Sequence, residues 1–233
     1  MDKLSELKDI LKTVGPQNIW RPLVINTEHL LADGIGEAGD GLAENMGNLD
    51  FKGKTVLDLG CNFGYYSFWA RRAGARRVLG IDADARIIRG CEIIKALNGV
   101  DRVSFLAIDI VKAKGIGRFD IGLMIDLIGR KMIMSGTARA VLDSLESLSA
   151  KEMVLTLRPR YHILKKLAGD FRGLKEKYPG AYIRDNYFHA FDYVCDRFKA
   201  NWKATVISAH NDPGVEYKQT LHFVRKKPAR ALG

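Results

Sequence analysis

Beyond residue 51, short runs of Val, Ile and Leu alternate with stretches whose apolar positions recur every three or four residues. The runs are Lys54–Gly60 (KTVLDLG), Arg77–Asp82 (RVLGID), Val103–Asp109 (VSFLAID), Phe119–Asp126 (FDIGLMID) and Glu152–Leu157 (EMVLTL). Continuous apolar runs of this length, without strict alternation, predict strands buried on both faces of a parallel sheet. Helices are predicted between them. Asp84–Asn98 carries Ile87, Ile88, Cys91, Ile94 and Leu97 on one face, Arg86, Arg89, Glu92 and Lys95 between them, and a stop at Gly99. Thr137–Leu148 repeats the pattern, and Tyr65–Ala73, closed by Gly74, is a shorter first helix. The stretch IVKAKGIGR is too short and glycine-rich for a helix, and predicts a loop or single turn.

After Pro159 the rhythm changes. Tyr161–Tyr178 and Tyr187–Lys199 read as helices, broken at PGAYIRDN. Lys203–Ser208 and Thr220–Val224 read as two strands around a loop holding Asn211, Asp212, Pro213 and Gly214, a hairpin that adds an antiparallel strand to the sheet. At the other end, Leu4, Leu7, Ile10, Leu11 and Val14 mark one amphipathic helix, followed by a connector rich in glycine and acid between Asp33 and Asn48. The expected organisation is an N-terminal helical cap or lid over residues 1–50 and one α/β domain over residues 51–233, with basic helices on its substrate side and a terminal hairpin.

Composition narrows the class. The chain has 233 residues, 47% hydrophobic and 27% charged, which suits a packed core and excludes wholesale disorder. No stretch approaches the ~20 apolar residues that span a bilayer, so no membrane partner is expected. The opening segment has no signal-peptide core, and Cys61, Cys91 and Cys195 form neither a disulfide framework nor a zinc knuckle. A cytoplasmic protein is expected. Charge is the unusual feature, at +10. Residues 1–150 hold 20 Lys+Arg against 19 Asp+Glu, whereas residues 151–233 hold 17 against 8. An excess confined to the last third points to an anionic partner, with a solubilising surface as the alternative.

The segment that carries chemistry is VLDLGCNFGYYSFW, residues 56–69. It reads as strand, Asp58, a Gly60-Cys61-Asn62-Phe63-Gly64 turn, then a helix. Glycines at such a turn admit a ligand close to the backbone, and the helix start offers free N–H donors. Asp58 at the strand end suits a cation such as an amino acid's ammonium. Asp82, at the end of the next run, can accept both hydroxyls of a ribose. The dinucleotide pattern GxGxxG is not met, because Asn62 stands at its middle glycine.

VLDLGCNFG, GID ending at Asp82, AID ending at Asp109 and FDIGLMID together resemble the successive motifs of class I S-adenosylmethionine-dependent methyltransferases. The resemblance covers roughly residues 52–226. It implies a Rossmann-like, seven-stranded, mostly parallel sheet whose last strand is antiparallel, and S-adenosyl-L-methionine as cofactor. Asp58 with Gly60, Cys61, Asn62 and Gly64 would hold the cofactor's methionine part, and Asp82 its ribose. Asp109 would reach the adenine amino group, with Ala83 and Ile110 flanking the ring. Asp126 would face the methionine end or the acceptor. Many members have glycine where this chain has Asn62. INTEHLLADG, AGARRVLGID and RDNYFHAFDYVCDRF are also similar to enzymes that modify wobble uridine in tRNA with a carboxylated S-adenosylmethionine, although DLIGRK stands where those enzymes have a Leu-Tyr-His-like loop.

Methyl transfer is an in-line displacement accelerated largely by positioning, and a base is needed only where the acceptor loses a proton early. His162, His189 and Asp126 are the candidates, with Tyr161 and Tyr187 nearby. His29 and the pair Trp20-Arg21 are placed to close over the site or simply to pack on the core. Asp126-Leu127-Ile128-Gly129 lacks the Asn-Pro-Pro-Tyr type of motif of enzymes that methylate base amines. No metal-ligand spacing occurs, so no metal is expected. The expected acceptor is an oxygen or nitrogen of a small molecule with some acidic character. RNA is the alternative partner, and a non-catalytic cofactor-binding module is the alternative class.

Overall fold

The computed structural model describes residues 2–26, 29–36, 42–207 and 218–227. Helix α1 (Lys3–Val14) is followed by strands β1 (Leu23–Ile25) and β2 (His29–Ala32) and by α2 (Leu42–Gly47). The α/β alternation then runs β3 (Thr55–Leu59), α3 (Tyr65–Arg72), β4 (Arg77–Asp82), α4 (Ala85–Leu97), β5 (Val103–Ala107) and β6 (Phe119–Met124). Next come α5 (Arg130–Ser135), α6 (Ala138–Leu148), β7 (Ser149–Leu157), β8 (Arg160–His162), α7 (Ile163–Lys166) and α8 (Phe171–Lys177). The chain ends through β9 (Ile183–Arg184), β10 (Tyr187–His189), α9 (Ala190–Phe198), β11 (Trp202–Val206) and β12 (Gln219–Arg225).

Seven strands form the main sheet in the order β11-β12-β7-β6-β3-β4-β5. The five predicted strands, β3 to β7, pair in parallel, and β12 enters antiparallel to both β7 and β11. The expected sheet, with its last strand reversed, is therefore present. The loop holding Asn211 to Gly214 lies outside the described residues. Every residue of β3 is buried, and its side chains alternate between two apolar layers. Val56 faces a layer shared with α1, α3 and α4, while Leu57 and Leu59 face one shared with α6 and α9. Asp58 therefore projects with Val56, beneath α3. From β3 the chain winds one way to β4 and β5, then returns to lay β6 on the other side of β3. Open α/β sheets form their ligand crevice outside the strand ends at such a reversal.

Two corrections concern the stretch after Pro159. The predicted helix over 161–178 is instead β8 followed by two short helices, broken where Ala168 and Gly169 take positive φ. The predicted helix over 187–199 begins as strand β10 and turns helical only at Ala190. Asp185 and Asn186 both have positive φ and close a two-residue hairpin between β9 and β10, the conformation that Asp and Asn tolerate best after glycine. A second sheet, β8-β10-β9, results. Its strands are too short for the periodicity of sequence to separate them from a helix.

A half-buried polar trio ties β12 and β7 to the start of β3. Glu152 on β7 accepts from Lys54 Nζ at 2.6 Å and pairs with His222 Nε2 of β12 at 3.0 Å. Burial raises its carboxyl, and these two partners together bring it below the ordinary glutamate range. At the N-terminus, α1 packs on α4, with Leu7 and Val14 buried and Glu6 paired to both donors of Arg89 at 2.7 and 2.9 Å.

Candidate functional site

The turn after β3 is built by glycines in the left-handed region. Gly60 has φ +75° and Gly64, which caps α3, has φ +80°. Between them Asn62 also has positive φ, +47°. The turn opens a cavity of about 110 Å³ at the crevice between β3 and β6. Asp58, Gly60, Cys61, Asn62, Asp82 and Asp126 line it, together with Trp20, Arg21 and Tyr66. The structure thus gathers six of the sequence-derived residues from three strand ends. Gly64, Ala83, Asp109, Ile110, His162 and His189 are not among the lining residues.

Asp58 is fully buried and accepts from Ser67 Oγ of α3 at 2.6 Å. Burial pushes its carboxyl up to about 6, against the lowering pull of Ser67, and the neighbouring Asp82 adds to the rise. A buried carboxylate whose partners among the described residues are the hydroxyl and backbone N–H of Ser67, with no cation, is under-compensated. Asp82 accepts backbone N–H bonds from Asn62 and Asp84, both at 3.1 Å. Burial outweighs these bonds, so its pKa is also raised. Each oxygen keeps a lone pair for a further donor.

Asp126 is in a different state. Arg21 Nη2 meets one oxygen at 2.6 Å, and Lys218 Nζ and Thr156 Oγ1 meet the other at 3.0 Å each. The Asp126 and Arg21 side chains are only 7% and 12% exposed. A carboxylate held by two cations is well suited to fixing those cations in place.

The thiols of Cys61 and Cys91 both donate to the carbonyl oxygen of Asn62, at 3.4 and 3.1 Å. Burial raises both thiols, which makes them neutral packing groups. Asp109 caps the single turn Ile110–Lys112 by accepting from Val111 N–H at 3.0 Å.

His162 and His189 stand on the small sheet with Tyr187 between them, at ring distances of 4.9 and 6.4 Å. Burial and the nearby Arg184 lower the His189 pKa, and its Nε2 is buried with no hydrogen-bond partner among the described residues. Tyr161 Oη bonds the Ile128 carbonyl at 3.3 Å, joining the small sheet to the segment that follows Asp126. His29 lies on the exposed strand β2, away from the cavity lining. Sequence reasoning missed Lys218, Thr156, Ser67 and Tyr66. They come from distant strands or from a helix face, and no local pattern marks them. Among the described residues no His, Cys, Asp and Glu group could hold a metal ion, and no helix is long and apolar enough to cross a membrane.

A family model described as a methyltransferase domain matches residues 50–199. The ribosomal protein L11 methyltransferase of Vibrio cholerae is 41% identical over 58 residues, 25% of this chain and 20% of that protein. A tRNA U34 carboxymethyltransferase of Desulfotalea psychrophila is 33% identical over 101 residues, 42% of this chain and 31% of its own length. The chain thus spans about a fifth to a third of the curated relatives it matches. Among solved structures, the magnesium protoporphyrin IX methyltransferase of Synechocystis with bound SAH superposes with TM-score 0.54 at 21% identity, covering 80% of this chain and 81% of that one. At that identity the likeness concerns the fold.

Proposed function

Because the chain belongs to the methyltransferase domain family, we propose that it binds S-adenosylmethionine and methylates an oxygen or nitrogen of a small, anionic molecule. The observation that carries the reading is the convergence of Asp58, Asp82 and the Gly60–Gly64 turn on one cavity at the sheet's switch point. When bound, the cofactor supplies an electrophilic methyl carbon on a cationic sulfur, which an acceptor lone pair displaces in line.

The donor set fits such a molecule. The buried Asp58 carboxylate lacks a cation, and an ammonium would supply it. Asp82 has lone pairs left for two ribose hydroxyls. Ala83 follows the end of β4, and Asp109 and Ile110 follow the end of β5; in this reading they take the adenine. Arg21 and Lys218 both pair with Asp126, which leaves that cluster one positive charge in excess beside the carboxylates of Asp58 and Asp82. That supports an acceptor bearing a carboxylate or phosphate, which the cations would orient. Residues 1–50 act in this reading as the covering segment, and residues 51–233 as the catalytic domain.

Neither His162 nor His189 borders the cavity, so positioning rather than a histidine base is the main contribution asked of this chain. His189 is kept neutral by its surroundings, the form a base needs, should the acceptor extend to the small sheet. Asp126 holds Arg21 and Lys218 and contributes through them.

The test is methyl transfer from labelled S-adenosylmethionine to pools of small anions and of neutral analogues. The reading expects label in anionic products and a loss of at least tenfold with Lys218→Ala, since a charge-assisted bond is worth about 1.5–3 kcal/mol. Label found only in neutral products would overturn the anionic acceptor.

RNA is the second reading. The exposed Lys165, Lys166 and Lys175 on α7 and α8 support it, as does the likeness to the tRNA-modifying relative.

A further inference from the structure

The cavity is covered by a four-residue strap, Asn18 to Arg21, and the way it is fastened gives Asn62 a role. The side-chain amide of Asn62 donates to the Asn18 carbonyl at 2.8 Å and accepts from the Trp20 N–H at 3.3 Å. At its far end the strap is fastened by Arg21 on Asp126, and Lys218 lies over the Trp20 ring at 5.4 Å. From outside, residues 35 and 36 back it through two backbone bonds of 2.8 Å to Ile19 and Trp20. Gly36 permits that approach, because a Cβ there would lie 2.4 Å from the Trp20 carbonyl oxygen.

Trp20 and Arg21 of the strap line the cavity, so a ligand that enters on that side needs the strap to swing aside. Its fastenings suit such a motion. Arg21 can leave Asp126 without stranding a bare carboxylate, because Lys218 and Thr156 stay on it. Asn62 is another fastening. It occupies a left-handed position that glycine fills at no cost and that asparagine tolerates best among the rest. What asparagine adds over glycine is the amide that grips the strap. The same residue donates its backbone N–H to Asp82, so the grip sits on the carboxylate assigned to the ribose.

Building on the cofactor reading above, we propose that Asn62 is a positioning residue that latches the strap Asn18–Arg21 over the cofactor, with Arg21 on Asp126 as the second latch. The latch sets how fast the cofactor enters and leaves, and acts little on the affinity itself.

Stopped-flow binding of S-adenosylhomocysteine, with Trp20 fluorescence as reporter and equilibrium calorimetry alongside, tests this. Asn62→Gly removes two hydrogen bonds from the shut state, so association and dissociation rates should each rise about tenfold or more. The dissociation constant should change less than threefold. Arg21→Gln loosens the strap from outside the glycine turn and should raise both rates as well. Hydrogen exchange at the Trp20 amide should be slowed by ligand in the wild type and much less in Asn62→Gly. A purely structural Asn62 would lower the melting temperature and leave the rates alone. Binding by both variants at wild-type rates overturns the latch and leaves the cofactor reading standing. Absence of binding by the wild type overturns both.

Discussion

Asp58 carries two opposed requirements, burial beneath α3 and charge for a cationic ligand. Its carboxyl is raised to about 6 mainly by burial. A carboxyl raised on folding binds its proton more tightly in the folded state than in the unfolded one. The free protein therefore loses stability from this group as pH rises from about 4 through 6, by about 3 kcal/mol at about 1.4 kcal/mol per pKa unit. An ammonium in the cavity would remove that cost, so ligand binding and deprotonation of Asp58 reinforce each other. Affinity for S-adenosylhomocysteine should fall by up to tenfold per pH unit below about 6 and level off above it. Asp58→Asn should bind weakly with no such slope, as calorimetry between pH 5 and 8 would show. Asp82 is a second residue-scale case. Asp82→Ala should weaken binding by about 1.5–3 kcal/mol if its carboxylate accepts charge-assisted bonds from a diol.

At the scale of elements, the small sheet is the addition that periodicity did not announce. Phe188 at its centre is 1% exposed and meets the Tyr178 ring at 4.8 Å. Phe188→Ala should cost about 3–5 kcal/mol of unfolding free energy in denaturant titrations. A change below 1 kcal/mol would mean that this sheet is not integral to the packed core. The parallel strands were legible because burial on both faces leaves near-continuous apolar runs, IGLM in β6 and VLDL in β3, the latter broken only by Asp58. Asp82 was legible because strand ends fall at a fixed place after those runs. β8 and β10 were not, since three residues are too few to tell a period of two from one of 3.6. The Asp185-Asn186 turn was the signal available, and it marks a hairpin more than a helix break. Lys218 and Thr156 could not be read locally at all, because β12 and β7 bring them to Asp126 across the sheet.

For the whole molecule, charge separates the two readings of the acceptor. The cofactor side is nearly neutral and the last third is strongly basic, while the cavity lining itself sets Arg21 against Asp58, Asp82 and Asp126. If RNA were the partner, its affinity would fall steeply with salt, log K dropping by about 0.7–0.9 per phosphate contacted for each decade of salt. The small-molecule reading expects weak, non-saturating binding of bulk tRNA at physiological salt, which filter binding across a salt series would show. The strand order that creates the switch point, the strap that covers it and the carboxylates that line it all assume one ligand. Titration of S-adenosylmethionine into the purified protein, followed by calorimetry, tests that assumption most directly. The account predicts saturable one-to-one binding that Asp82→Ala weakens by at least tenfold. No heat of binding from a folded wild-type protein would contradict it.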